Sequence, residues 1–136
     1  MPVQILLIDD QEDLLWVTEI FLQSAGYMVH SATDAETALR LFASVDCDAV
    51  ITDYNMPGMN GDELAGRLAK IRPIRALVVT SAKISKHGGN ADQTLRQAFR
   101  IQVGANTNLA FVAKPYAGSE LLEPLADVLC GGSRQS

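Results

Sequence analysis

Five short apolar runs punctuate the chain: Val3–Ile8, Tyr27–Ser31, Ala49–Thr52, Ala76–Thr80 and Leu109–Ala113. Each has strand length and is apolar almost throughout, as expected of strands buried on both faces of a sheet. Between them, apolar residues recur at three- and four-residue spacing. Leu14, Leu15, Val17, Thr18, Phe21 and Leu22 outline a first helix that Gly26 is suited to end, because glycine tolerates the left-handed conformation found after a last helical turn. Thr33-Asp-Ala-Glu36 has capping-box spacing and predicts the start of a second helix, with Ala38, Leu39, Leu41 and Phe42 as its buried face. A third helix is predicted over Asp62–Ile71, ended by the Arg72-Pro73 step.

Strict alternation of such strands and helices predicts an α/β class, a doubly wound parallel sheet with helices on both faces. Ligands of these sheets bind outside the carboxyl ends of the strands, so the polar residues after each run become the candidates for chemistry. Asp9 and Asp10 follow the first run, Asp53 the third, Thr80 and Ser81 close the fourth, and Lys114 follows the fifth. Carboxylates gathered at one rim would repel one another, and a hard divalent cation such as Mg²⁺ is their natural partner. With a lysine and a hydroxyl beside them, the set suits a phosphoryl group. Singly these signals are weak, since an Asp-Asp pair after a strand is more often a turn or a cap.

The 136 residues fit one domain, with 48% hydrophobic and 20% charged residues, a globular composition. A net charge of −5 argues against direct nucleic-acid binding or attraction to an anionic membrane surface. Cys47 and Cys130 follow no metal spacing and read as small apolar residues in a reducing compartment. No secretory or membrane-spanning pattern is present, so a cytoplasmic location is expected.

The blocks "ILLIDDQEDL", "DAVITDYNMPGMNGDEL", "LVVTSAK" and "FVAKPY" resemble the signature blocks of response-regulator receiver domains over almost the whole chain. The resemblance implies a five-stranded flavodoxin-like sheet of order 2-1-3-4-5. It further implies that Asp53 is the phosphoacceptor and that Asp9 and Asp10, with the Asn55 carbonyl, complete a Mg²⁺ site. Lys114 would contact the phosphoryl oxygens. Of the adjacent hydroxyls, Ser81 fits the family register, with Thr80 as the last strand residue, and Phe111 matches the aromatic switch position. Lys114-Pro115 resembles the family's cis peptide, and Asn55 and Lys83 resemble positions that tune the lifetime of the phosphoryl group.

On that basis the chain is expected to be a receiver domain over 1–130 with a disordered tail or linker remnant over 131–136. It would receive its phosphoryl group from a histidine kinase or phosphotransfer protein and act on a protein target or a fused output domain, without being an enzyme beyond its own phosphorylation and dephosphorylation. A phosphorylation-independent interaction module, or a flavodoxin-like enzyme on the same sheet, are the alternatives.

Several features depart from the family pattern. The stretch from Ser81 to Lys114 is longer than the norm, with Gly88, Gly89 and Asn90 reading as a loop and Ala91–Val103 as a displaced or extended helix. His87 in that loop reads as solvated. Pro124 falls inside the fifth helix, where a missing N–H is expected to bend or delay it.

Overall fold

A computed structural model describes residues 2–83 and 90–131, the side chains of 90–92 excepted. The described residues form β1 (Gln4–Ile8), α1 (Glu12–Ser24), β2 (Met28–Ala32), α2 (Ala35–Ser44), β3 (Ala49–Asp53), α3 (Gly61–Ile71), β4 (Ala76–Ser81), α4 (Asn90–Val103), β5 (Asn108–Ala113) and α5 (Gly118–Leu129). The strands pair in parallel in the order β2-β1-β3-β4-β5. This is the doubly wound order expected from the alternation and the resemblance.

Side chains on a strand alternate between faces, and the core divides accordingly. Leu6, Ile8, Val50, Leu77, Val79 and Leu109 pack with Phe42, Leu64, Leu68 and Phe99 from α2, α3 and α4. Ile5, Leu7, Ile51, Val78, Ala110 and Val112 pack with Leu15, Leu22, Leu121 and Leu125 from α1 and α5. Both faces are therefore covered, which is why the strands read as continuous apolar runs. On the outer side of α1, Trp16, Val17, Ile20 and Phe21 stay exposed, with Trp16 64% accessible.

Gly26 has φ +98° after α1 and donates its N–H to the Gln23 carbonyl at 3.0 Å, the left-handed termination anticipated from its position. The start of α2 differs from the expected Thr33–Glu36 box. Asp34 is the capping residue, and its Oδ1 accepts the Thr37 N–H at 2.7 Å. The frame is shifted by one because a carboxylate caps at least as well as a hydroxyl and also favours the positive end of the helix dipole. That backbone hydrogen bond from Thr37 holds the Asp34 pKa below its ordinary value.

Pro124 does not delay α5, which begins at Gly118 and runs through it. Pro124 is buried within the helix, whose backbone runs on through it to Leu129. The loop after α4 is closely tied: Arg100 donates to the carbonyls of Gly104 and Thr107, each at 2.7 Å, and the Thr107 hydroxyl donates to the Ile74 carbonyl at 2.7 Å. His87, Gly88, Gly89 and residues 132–136 lie outside the described residues, so the readings of that loop and of most of the tail stay expectations. Cys47 is buried and Cys130 exposed, both as free thiols.

Candidate functional site

The strand ends bring four of the candidate residues together. Asp9 follows β1, Asp53 closes β3, and Lys114 follows β5, so parallel pairing delivers them to one rim. The Lys114 ammonium lies 2.8 Å from Asp9 Oδ2 and 3.2 Å from Asp53 Oδ2. Asp9, Asp10 and Asp53 each offer one carboxylate oxygen, and the three oxygens lie within 4.8 Å of one another. Asp9 and Asp53 are buried, and Asp10 is half-buried.

The remaining carboxylate oxygens are oriented by the backbone. Asp9 Oδ1 accepts the Gln11 N–H at 2.9 Å, and Asp53 Oδ1 accepts the Asn55 N–H at 3.3 Å. The Gln11 side chain also accepts from Lys114 at 3.4 Å. The turn after Asp53 is closed by Gly61, whose N–H donates to the Tyr54 carbonyl at 2.6 Å. A Cβ at Gly61 would fall 2.5 Å from the Asp53 carbonyl oxygen, so only glycine lets α3 begin this close to the end of β3.

One ammonium bridges two of the three clustered carboxylates, and burial and this charge imbalance act together on their titration. Burial pushes the Asp53 pKa up and the Asp9 charge adds to it, while Lys114 opposes both. Burial alone would lower the Lys114 pKa, but its hydrogen bond and charge interaction with Asp9, and its pairing with Asp53, outweigh this and raise it. Both directions describe a pocket short of positive charge. An all-oxygen, anionic donor set of this kind fits a hard divalent cation such as Mg²⁺ and would not suit a soft one.

β4 extends one residue further than expected, so Ser81 rather than Thr80 is its last residue. Pairing sets Val79 beside Phe111 and Ser81 beside Ala113, so alternation puts Ser81 and Phe111 on the α4 side of the sheet and Thr80 on the other. The Ser81 hydroxyl oxygen accepts the Lys83 N–H at 3.0 Å, and its carbonyl accepts the Lys114 N–H at 2.9 Å. Phe111 is half-buried, edge-on to Phe99 at 5.9 Å between centroids, with the Arg96 guanidinium 4.7 Å above its ring. The Lys114-Pro115 peptide is cis, as the resemblance implies.

Gln11, Gly61, and the pair Thr18 and Tyr116 contribute to this neighbourhood without having been singled out as site residues from the sequence. Gln11 directly follows the acidic pair and could have been flagged by adjacency, and Gly61 lies inside the quoted "NMPGMNG" block. Thr18 and Tyr116 are 98 positions apart, and nothing local links them.

The family model described as "Response regulator receiver domain" matches residues 5–126. The chain belongs to that family. Among similar proteins, the sensory/regulatory protein RpfC of Xanthomonas campestris is 35% identical over 133 residues, covering 93% of this receiver domain and 16% of RpfC. The sensory transduction protein RegX3 of Mycobacterium tuberculosis is 26% identical over 128 residues, covering 94% of this chain and 51% of RegX3. The receiver domain thus spans about half or less of these relatives. The structure of chemotaxis protein CheY4 of Vibrio cholerae superposes with a TM-score of 0.79 at 25% identity, covering 94% of this chain and 99% of that one. No described helix of this receiver domain is long and apolar enough to cross a membrane.

Proposed function

We propose that this receiver domain accepts a phosphoryl group on Asp53 from a phosphohistidine of a histidine kinase or phosphotransfer protein, and relays it to a protein target or fused output domain. The observation that carries the reading is the single Lys114 ammonium bridging Asp9 and Asp53 beside the carboxylate of Asp10. Such a group is short of positive charge and built of hard oxygen donors, the electrostatics that phosphoryl transfer uses.

A carboxylate oxygen of Asp53 is the nucleophile. It forms a bond to phosphorus as the nitrogen–phosphorus bond of the donor breaks and the imidazole keeps the electron pair. Burial favours the protonated, unreactive form of Asp53, and Lys114 counters this by favouring the ionised one. Lys114 then follows the charge onto a phosphoryl oxygen. Mg²⁺, when bound, supplies compensating positive charge for the phosphoryl oxygens. Asp10, Asp53 and the Asn55 carbonyl would hold it directly, with Asp9 acting through water.

Ser81 keeps its O–H free to donate to a phosphoryl oxygen while its oxygen accepts from Lys83. Its movement toward Asp53 would open space for Phe111 on the same side of the sheet and so reshape the surface of α4, β5 and α5. Asn55 and Lys83, beside the site, would tune how long the phosphoryl group lasts.

Intact mass after incubation with acetyl phosphate and Mg²⁺ tests the reading. A gain of about 80 Da, absent in Asp53→Asn and in metal-free buffer, is the expected result for acceptance at Asp53. A folded wild-type protein that gains no mass would instead be a phosphorylation-independent interaction module.

A further inference from the structure

Lys114 stands on a flexible four-carbon stem, yet its ammonium must stay within hydrogen-bond reach of two carboxylates on different strands. On one side its backbone is fixed by the N–H donated to the Ser81 carbonyl. On the other side the chain leaves the sheet through Pro115 and turns into α5. α1 meets that turn at two points. The Thr18 hydroxyl lies 3.1 Å from the Tyr116 hydroxyl, and the Phe21 ring packs directly on Gly118, where a Cβ would fall 2.6 Å from ring carbon.

Thr18 is conspicuous on its own helix. The buried residues of α1 are Leu15, Thr18 and Leu22, an apolar stripe with one hydroxyl at its centre. A hydroxyl with 4% exposure there is a cost to the core unless it has a partner, and Tyr116 is that partner. Tyr116 for its part presents an apolar ring and a polar tip, and among the described residues the tip is satisfied by α1. The contact therefore has no purpose in either element alone. What it does is anchor the residue two positions beyond Lys114 to a rigid helix.

We propose that Thr18 and Tyr116 are positioning residues that hold Lys114 in register with Asp9 and Asp53. This rests on the phosphoacceptor reading of that site. Tyr116 lies near enough to feel the charges of Asp9, Lys114 and Asp53, although burial is the main cause of its raised pKa. Removing the anchor leaves the carboxylates in place and lets the ammonium wander. The expected signature is slower phosphoryl uptake with Mg²⁺ affinity unchanged.

The test is the rate of mass gain from acetyl phosphate and Mg²⁺ in Tyr116→Phe, Thr18→Val and Thr18→Ser, each made in the wild-type and in a Lys114→Ala background. Tyr116→Phe and Thr18→Val should slow uptake by about tenfold, a plausible penalty for misplacing a charged group by a fraction of an ångström. Thr18→Ser, which keeps the hydroxyl, should stay within about twofold of wild type. In the Lys114→Ala background neither loss should recur, because the residue being positioned is gone. A second readout does not depend on phosphorylation: acylation of Lys114 by an N-hydroxysuccinimide ester, followed by peptide mass, should be several-fold faster in Tyr116→Phe.

Equal slowing in both backgrounds would make the contact a matter of general stability and overturn the proposal. So would unchanged acylation of Lys114 in Tyr116→Phe. If the wild-type protein takes up no phosphoryl group, the proposed function falls, and the acylation rates alone decide whether Thr18 and Tyr116 hold Lys114.

Discussion

Two neighbouring regions of the sheet's carboxyl edge are held by different forces. At the tips of β1, β3 and β5, Asp9, Asp53 and Lys114 are locked by charge at 2.8 and 3.2 Å. Beside them, on the α4 side, Tyr54, Phe99 and Phe111 meet in tilted and edge-on contacts with centroid distances of 6.1 and 5.9 Å, and Arg96 covers the half-buried Phe111. A hydrogen-bonded ion pair in a buried site has one good geometry for its donors and acceptors, whereas aromatic contacts tolerate several arrangements of similar energy. The difference teaches where a change of charge can be sensed and where it can be expressed. On the proposed function, the first region would respond to an added phosphoryl group or cation, and the second would repack without losing the fold.

The comparison can be broken most strongly at Phe99. It is fully buried and belongs both to the core and to the aromatic stack, so Phe99→Ala should lower stability by about 3–5 kcal/mol, read by chemical denaturation. A loss near 1 kcal/mol would mean that α4 closes over the gap and that the aromatic side is softer still.

Lys114→Met tests the charged side. With the ammonium gone, two buried carboxylates lose their shared partner, and stability in metal-free buffer should fall by about 3 kcal/mol. Mg²⁺ should recover part of that loss in a thermal unfolding scan, because the carboxylates still offer oxygens to a cation. The pH dependence has a definite sign. The folded-state pKa of Asp53 is already raised by burial, so between its unfolded and folded values the folded protein binds more protons and stability falls as pH rises. Lys114 opposes that rise. Removing it should widen the window, so that Lys114→Met regains stability on acidification through the carboxylate range more than wild type does.

Arg96→Met is the smallest change and the sharpest one for the switch. It keeps an apolar stem over the Phe111 ring and removes the cation, which should cost about 0.5–1 kcal/mol. Ring-proton shifts of Phe111 measured with and without beryllofluoride and Mg²⁺ would show whether the ring's present contact with Phe99 and Arg96 loses population. Unchanged populations would assign Arg96 to surface packing only.

Much of this protein could be read along the chain, and the reason is local. A parallel sheet covered on both faces demands uninterrupted apolar runs, so the five strands announced themselves, and four of the five runs end at or just before the polar residues that pairing delivers to the rim. The gathering of Asp9, Asp10, Asp53 and Lys114 was legible in that way, and the family blocks nominated Ser81, Asn55 and Phe111 as candidates beside them. The one-residue shift of the α2 cap from Thr33 to Asp34 was beyond such reading, because both residues cap well and the entry of the chain into the helix selects between them. Pro124 does not delay α5, because whether a helix accommodates a missing N–H depends on how the helix is packed, which the local sequence does not state.

What depended wholly on the folded chain were contacts between groups with no sequence relation. Thr18 meets Tyr116 across 98 positions, the Gly61 approach to Asp53 needs α3 packed on β3, and Arg96 reaches Phe111 only when α4 lies on β5. Periodicity and turn chemistry act over a few residues and so are written locally. The distances that set the charge of Asp53, the reach of Lys114 and the freedom of Phe111 arise when remote segments share one desolvated space, where each partner's energy is defined by the other.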